Sequence, residues 1–332
     1  MRHLRTHTLH RLRRRWQGHW PLIKRVLIVL VLLVVGGLIF HVARSIDWPQ
    51  VWSAMRDIPS RNIAIAGGLV VAGYLAYASL DLLAKRYTRH KLPSLQVAGV
   101  ALVSYAMNLN LGVLVGGLGM RLRLYAKLGV RKSVATRVAL FSAATNWIGY
   151  AFVGGAVFVS GAVPVPADWE IGRGVLRIIG VVILVLGVVY IGYCARARQR
   201  SYRLFGQHLV LPGGRMAVAQ TLLAALSWTI MGTIMWVLMQ GKADYAAVLG
   251  VLLCTSFAAL VTRIPGGLGT TEAIFMAAFA GQLPGYQVLG AALTYRALYA
   301  VVPLGVAVLA YGIIETRLAW RARHGGGQVR HS

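Results

Sequence analysis

The stretch Arg263-Ile264-Pro265-Gly266-Gly267-Leu268-Gly269-Thr270-Thr271-Glu272 interrupts an apolar run covering residues 245–283, and its glycine tetrad repeats one that begins 150 residues earlier, Gly116-Gly117-Leu118-Gly119, inside the apolar run 94–119. A helix crossing the hydrocarbon layer needs about 20 apolar residues, because about 30 Å is covered at roughly 1.5 Å per residue. Both runs are long enough, yet glycines break each of them, and Pro265 breaks the second. Six further runs, residues 26–43, 62–84, 133–161, 174–194, 216–240 and 287–314, each read as one spanning helix. The chain is therefore expected to be all-α, a polytopic integral membrane protein with about eight hydrophobic segments.

Composition points the same way. Of 332 residues 58% are hydrophobic and 13% charged, with a mean hydropathy of +0.65, whereas a soluble domain carries about a quarter charged residues. The excess of 35 Lys and Arg over 8 Asp and Glu, a net +27, suggests nucleic acid only where the basic residues cover a polar surface. Here they cluster between apolar runs, so nucleic acid is not expected as a partner. Cys194 and Cys254 sit in apolar runs and offer neither a disulfide framework nor metal-ligand spacing. His3, His7 and His10 fall near one helical face of the N-terminal tail, but no acid or cysteine completes a metal site, and the tail reads as a basic membrane-surface segment. A nucleophile elbow, P-loop, HExxH and paired carboxylates are all lacking. The expected protein is not an enzyme and uses no cofactor.

Basic residues in short loops resist translocation and so set orientation. Residues 1–25 contain eight Lys and Arg and no acid, which places the N-terminus in the cytoplasm of a bacterial inner membrane. The loops on both sides of the run 94–119 are basic: Lys85, Arg86, Arg89 and Lys91 before it, Arg121, Arg123, Lys127, Arg131 and Lys132 after it. Both want the same side, so this run is expected to enter from the cytoplasm, break at its glycines and return as a re-entrant hairpin. Residues 161–171 carry Asp168 and Glu170 and are assigned outside; Arg196, Arg198, Arg200, Arg203 and Arg215 return the chain inside; Arg317, Arg321 and Arg323 keep the C-terminus inside. The run 245–283 must then leave and return to the outer face. Two glycine-broken hairpins of opposite sense are the signature of an inverted-repeat transporter, whose site lies between the repeats near the midplane. The predicted organisation is a tail 1–25, a membrane domain 26–317 with repeat 1 about 94–161 and repeat 2 about 245–314, and a tail 318–332. The alternative for the glycines is close helix packing alone.

The segment from Arg263 to Glu272, followed by Tyr295-Arg296, resembles the integral-membrane flippase region of lysylphosphatidylglycerol synthases and their stand-alone relatives. The resemblance covers nearly the whole chain, including Asn108, Asn110 and the region 116–123. It implies a polytopic domain that moves an anionic, aminoacylated or glycosylated lipid between leaflets, with membrane phospholipids, and lipid-synthesis or glycosyltransferase enzymes, as partners; the alternatives are a non-catalytic membrane partner of lipid or envelope biosynthesis enzymes and a membrane-embedded lipid-modifying enzyme. The chain ends shortly after its last helix, so the aminoacyl transferase activity of the two-part synthases is not assigned to it. In the first half Met120 and Arg121 stand where an acid often follows the glycine in relatives, so the two halves are chemically unequal.

The residues themselves suggest a site. Glu272 is read as the acid furthest into an apolar context, and an intramembrane charge is costly unless paired or wet. Arg263 and Arg296 are its expected neighbours. At the start of a returning half-helix, with Pro265, Gly266, Gly267 and Gly269 allowing close backbone approach, these groups suit a lipid phosphate held by the arginines. Two readings of Glu272 stand: it orients the arginines or meets a cationic head group, or it forms with Arg296 a buried pair that fixes helix register. In the first half Asn108, Asn110, Asn146, Gly116 and Gly117 are candidate linings of a polar path, and Arg121 is expected on an interfacial helix at lipid head groups or as a positive-inside retention charge.

Overall fold

The computed structural model describes residues 47–163, 172–197, 201–204, 207–262 and 267–312. The expected first span 26–43, both tails, Asp168, Glu170 and the candidate residues Arg263, Pro265 and Gly266 lie outside them. The chain divides into Met1–Gln50 and Val51–Ser332. Of the first unit residues 47–50 are described, where Asp47 accepts from the Gln50 side-chain amide at 2.7 Å.

The helices are α1 (Trp48–Arg56), α2 (Ser60–Thr88), α3 (Ser94–Leu111), a π-helical turn (Val113–Gly119) running into α4 (Met120–Lys127), α5 (Lys132–Ser160), α6 (Arg173–Arg196), α7 (Gly214–Leu238), α8 (Tyr245–Thr262), α9 (Thr270–Ala278) and α10 (Gly285–Arg296), which continues through a second π turn (Ala297–Val301). Prolines open three of them: Pro59, Pro93 and Pro284 hold extended backbone immediately before α2, α3 and α10, where a missing N–H costs nothing. Five segments, α2, α6, α7, α8 and Gly285–Gly312, combine the length and hydropathy of a membrane crossing among the described residues. The 29 residues of α5 are also long enough, at roughly 43 Å. The membrane part is all-helical, as expected. The loop after α6 adds a short antiparallel hairpin that sequence reading did not anticipate, β1 (Ser201–Leu204) against β2 (Gln207–Val210), with Ser201 opposite Val210.

Contacts sort the loops onto two ends. At the basic end Lys85 donates to Ser94, the Val210 amide donates to the Tyr87 hydroxyl, and Arg123 and Lys127 lie over the Tyr311 ring. At the other end Asn62 donates to the Val237 carbonyl and Lys242 to Gln287. α3 leaves the basic end, reverses at Gly112 and returns through the π turn and α4, so that Tyr125 meets His90 of the α2–α3 loop edge-on, ring centroids 5.8 Å apart. α8 leaves the opposite end and α9 returns to it. The hairpins are therefore inverted with respect to one another, and the long helices preceding them, α2 and α7, pack side by side. α6 is peripheral, with 6% of its apolar window buried. It packs along α5, where Gly155 meets Gly180 and Leu184 and Gly187 meets Phe152, and its Tyr190 donates to Gln220 of α7, which in turn donates to Thr145 of α5.

The centre is aromatic. Tyr77 stacks on Tyr105, Tyr295 stacks on Tyr299, and Tyr74 meets Tyr105 edge-on, contacts worth about 0.5–1.5 kcal/mol each beyond area burial. Their hydroxyls are used inside: Tyr105 and Tyr299 bond each other at 2.9 Å, and Tyr74 donates to the Tyr299 carbonyl at 3.0 Å. This cluster joins α2 and α3 of the first half to α10 of the second.

Candidate functional site

Gly267 and Gly269 adopt φ of +57° and +77°, conformations that a side chain disfavours. They turn the chain into α9, whose first turn carries Glu272. Arg296, the last residue of regular α10, reaches across to it. Its Nε donates to Glu272 Oε1 at 2.7 Å, and its Nη2 donates to Glu272 Oε2 at 3.0 Å and to the Gly267 carbonyl at 2.9 Å. A bidentate fork of this kind is the strongest arrangement available to an Arg and a carboxylate. The same guanidinium thus contacts both the first turn of α9 and the glycine turn before it. The side chains remain 17% and 10% exposed.

The first half holds a charge pair of opposite layout. Arg121 lies on the returning half-helix α4, and its partner Asp81 comes from α2. Arg121 Nε is 3.1 Å from Asp81 Oδ2, with side-chain exposures of 6% and 0%, and Ser142 of α5 donates to Asp81 Oδ1 at 2.6 Å. The expectation that Arg121 sits at an interfacial surface is overturned: only 5% of the residue is exposed. The reading of Glu272 as the most deeply placed acid also needs correcting, since Asp81 is at 0% and Glu272 at 8%. The missed signal was present in Leu80-Asp81-Leu82-Leu83-Ala84.

The remaining candidates divide by position. A Cβ on Gly116 would run into the Met107 carbonyl, and one on Gly117 would lie 2.9 Å from Asn108 Oδ1, so these glycines let the π turn lie directly on α3. Asn110 donates to the Ala106 carbonyl at 2.8 Å and to the Ala300 carbonyl at 3.0 Å. The first hairpin thereby reaches the π turn that follows Arg296. A π turn displaces the regular i→i−4 ladder, and here Tyr74 and Asn110 supply the carbonyls of Tyr299 and Ala300 with side-chain donors. Asn146 belongs elsewhere: its carbonyl accepts from Trp228 at 3.2 Å in the α5–α7 seam. Thus Gly267, Gly269, Glu272 and Arg296 come together, Asn110 approaches them from the other repeat, and Arg121 belongs to a separate pair.

No family model matches the chain. Over 299 residues it is 40% identical to the inner membrane protein YbhN of Escherichia coli (strain K12), covering 90% of this chain and 94% of that protein. The chain belongs to the YbhN family. It is also 29% identical over 279 residues to the uncharacterized protein slr0712 of Synechocystis sp. (strain ATCC 27184 / PCC 6803 / Kazusa), covering 81% of this chain and 84% of the relative. With its membrane-crossing helices, this YbhN-family chain is a multi-pass inner membrane protein.

Proposed function

We propose that the protein is a flippase-like translocator that moves an anionic, aminoacylated or glycosylated lipid between leaflets, and that it is not an enzyme. The observation that carries this reading is the partly exposed Arg296–Glu272 fork at the tip of a glycine-broken hairpin, next to a second hairpin of inverted sense. Charged groups at membrane depth mark substrate pathways by default, and inverted repeats with discontinuous helices place their sites at this position. The resemblance to the flippase region of lysylphosphatidylglycerol synthases adds the lipid class. On this reading the basic end faces the cytoplasm with both termini, membrane phospholipids are the ligands, and enzymes that make or glycosylate lipids are the partners. Arg296, helped by Arg263, holds the phosphate, while Glu272 keeps the guanidinium aimed and exchanges places with the incoming anion.

The test is reconstitution of the purified protein into vesicles carrying phosphatidylglycerol or lysylphosphatidylglycerol with a leaflet-specific reporter. Movement above protein-free vesicles is expected for at least one of these lipids; movement of neither ends the proposal.

A further inference from the structure

Seven buried side-chain atoms among the described residues have no protein hydrogen-bond partner: Asp81 Oδ2, both ring nitrogens of His90, Ser104 Oγ, Asn108 Oδ1, Arg121 Nε and the Tyr125 hydroxyl. All belong to the first hairpin and the helix before it. Native interiors pair such atoms with protein or with ordered water, and hydrocarbon surroundings make unpaired ones costlier still.

Five of the seven converge. Asp81 of α2 pairs with Arg121 of α4 and accepts from Ser142 of α5, and Tyr125 of α4 and His90 of the α2–α3 loop lie within its electrostatic reach. His90 meets the Tyr125 ring edge-on and lies within electrostatic reach of Asp81 and Lys85, as Arg121 does of Tyr77. Asp81 and Tyr125 are fully buried and Arg121 is 5% exposed. At 3.1 Å Arg121 and Asp81 form an ion pair, yet Arg121 Nε and Asp81 Oδ2 make no well-aligned hydrogen bond. The set mixes donors, Arg121 Nε–H and the Tyr125 O–H, with acceptors, Asp81 Oδ2 and a His90 ring nitrogen. A lone anion would meet the Asp81 carboxylate and a metal cation the Arg121 guanidinium. Water, which donates and accepts, suits the whole set.

We propose that Asp81, His90, Arg121 and Tyr125 enclose a hydrated proton-binding site that opens at the basic end of the bundle through His90. The site is independent of lipid binding at Glu272 and Arg296. Burial and then Lys85 hold His90 below its ordinary proton affinity, while Asp81 pulls it upward, so the imidazole exchanges a proton with the water it shares with the carboxylate.

Two measurements on the full chain in lipid nanodiscs decide. Hydroxyl-radical footprinting by X-ray radiolysis modifies buried side chains where bound water lies beside them. Tyr125 and Tyr299 are equally buried, but the Tyr299 hydroxyl is bonded to Tyr105. Tyr125 is expected to react severalfold faster than Tyr299; equal rates overturn a hydrated site. In nitrogen-15 histidine spectra, with His90 assigned through His90→Gln, Asp81→Asn is expected to shift the His90 midpoint to lower pH. An unmoved midpoint in a folded Asp81→Asn protein overturns proton sharing. The footprinting comparison uses the unaltered protein and stands if that variant does not fold.

Discussion

The two hairpins share a glycine tetrad and little of its use. In the first, Gly116 and Gly117 are needed because α3 occupies the space a side chain would take. In the second, Gly269 has open space around its missing Cβ and is needed for its backbone angle. The charges differ in the same way. The first half-helix carries the base of a pair closed to 6% and 0% exposure, the second carries the acid of a pair left at 17% and 10%. One sequence pattern thus supports a deeply buried charge pair in the first half and a more exposed one in the second.

This contrast can be broken by substitution. Asp81→Ala leaves Arg121 uncompensated in the closed site and is expected to destabilise by about 3–5 kcal/mol, read as loss of monodisperse protein in detergent and a large drop in melting temperature. Gly116→Ala forces a methyl group against backbone and is expected to cost about 3 kcal/mol, at the upper end for overpacking because the obstacle cannot rotate away. Gly269→Ala, with room for its methyl but the wrong φ, is expected to cost only about 1–2 kcal/mol. Equal losses for the two glycine variants would erase the distinction between the hairpins.

Much of this architecture is legible in the sequence, because charge bias and apolar length are properties of single segments. The basic loops on both sides of the run 94–119 required a return, and α4 makes it, placing Tyr125 beside His90. Of the two arginines expected beside Glu272, Arg296 reaches it, a pairing the sequence suggests because few bases stand near that acid. Asp81 was missed since its partner lies forty residues away on another helix, a relation that only the folded hairpin creates. The tyrosine cluster is illegible for the same reason: Tyr74 comes from α2, Tyr105 from the first repeat and Tyr299 from the second.

Two smaller effects sharpen the comparison. In a background of Cys194→Ala and Cys254→Ala, Lys132→Cys and Lys242→Cys are expected to react with an impermeant maleimide from opposite faces, because they lie on opposite ends of the bundle; same-face reaction would contradict the inverted arrangement. The smallest effect is one of pH. Folding lowers the proton affinity of His90, chiefly by burial, so below its ordinary value near 6.5 the unfolded chain binds more protons than the folded one. Stability therefore falls as pH drops through that value toward the lowered one, and His90→Gln is expected to flatten this slope in melting experiments.

The central claim is that the Arg296–Glu272 pair is a working site rather than a structural clamp, and the charge-swapped double variant Glu272→Arg, Arg296→Glu tests it most directly. Restored melting behaviour together with lost leaflet exchange of phosphatidylglycerol or lysylphosphatidylglycerol is the predicted result, since a clamp tolerates reversal and an anion site does not. Full exchange by the swapped protein would contradict the account.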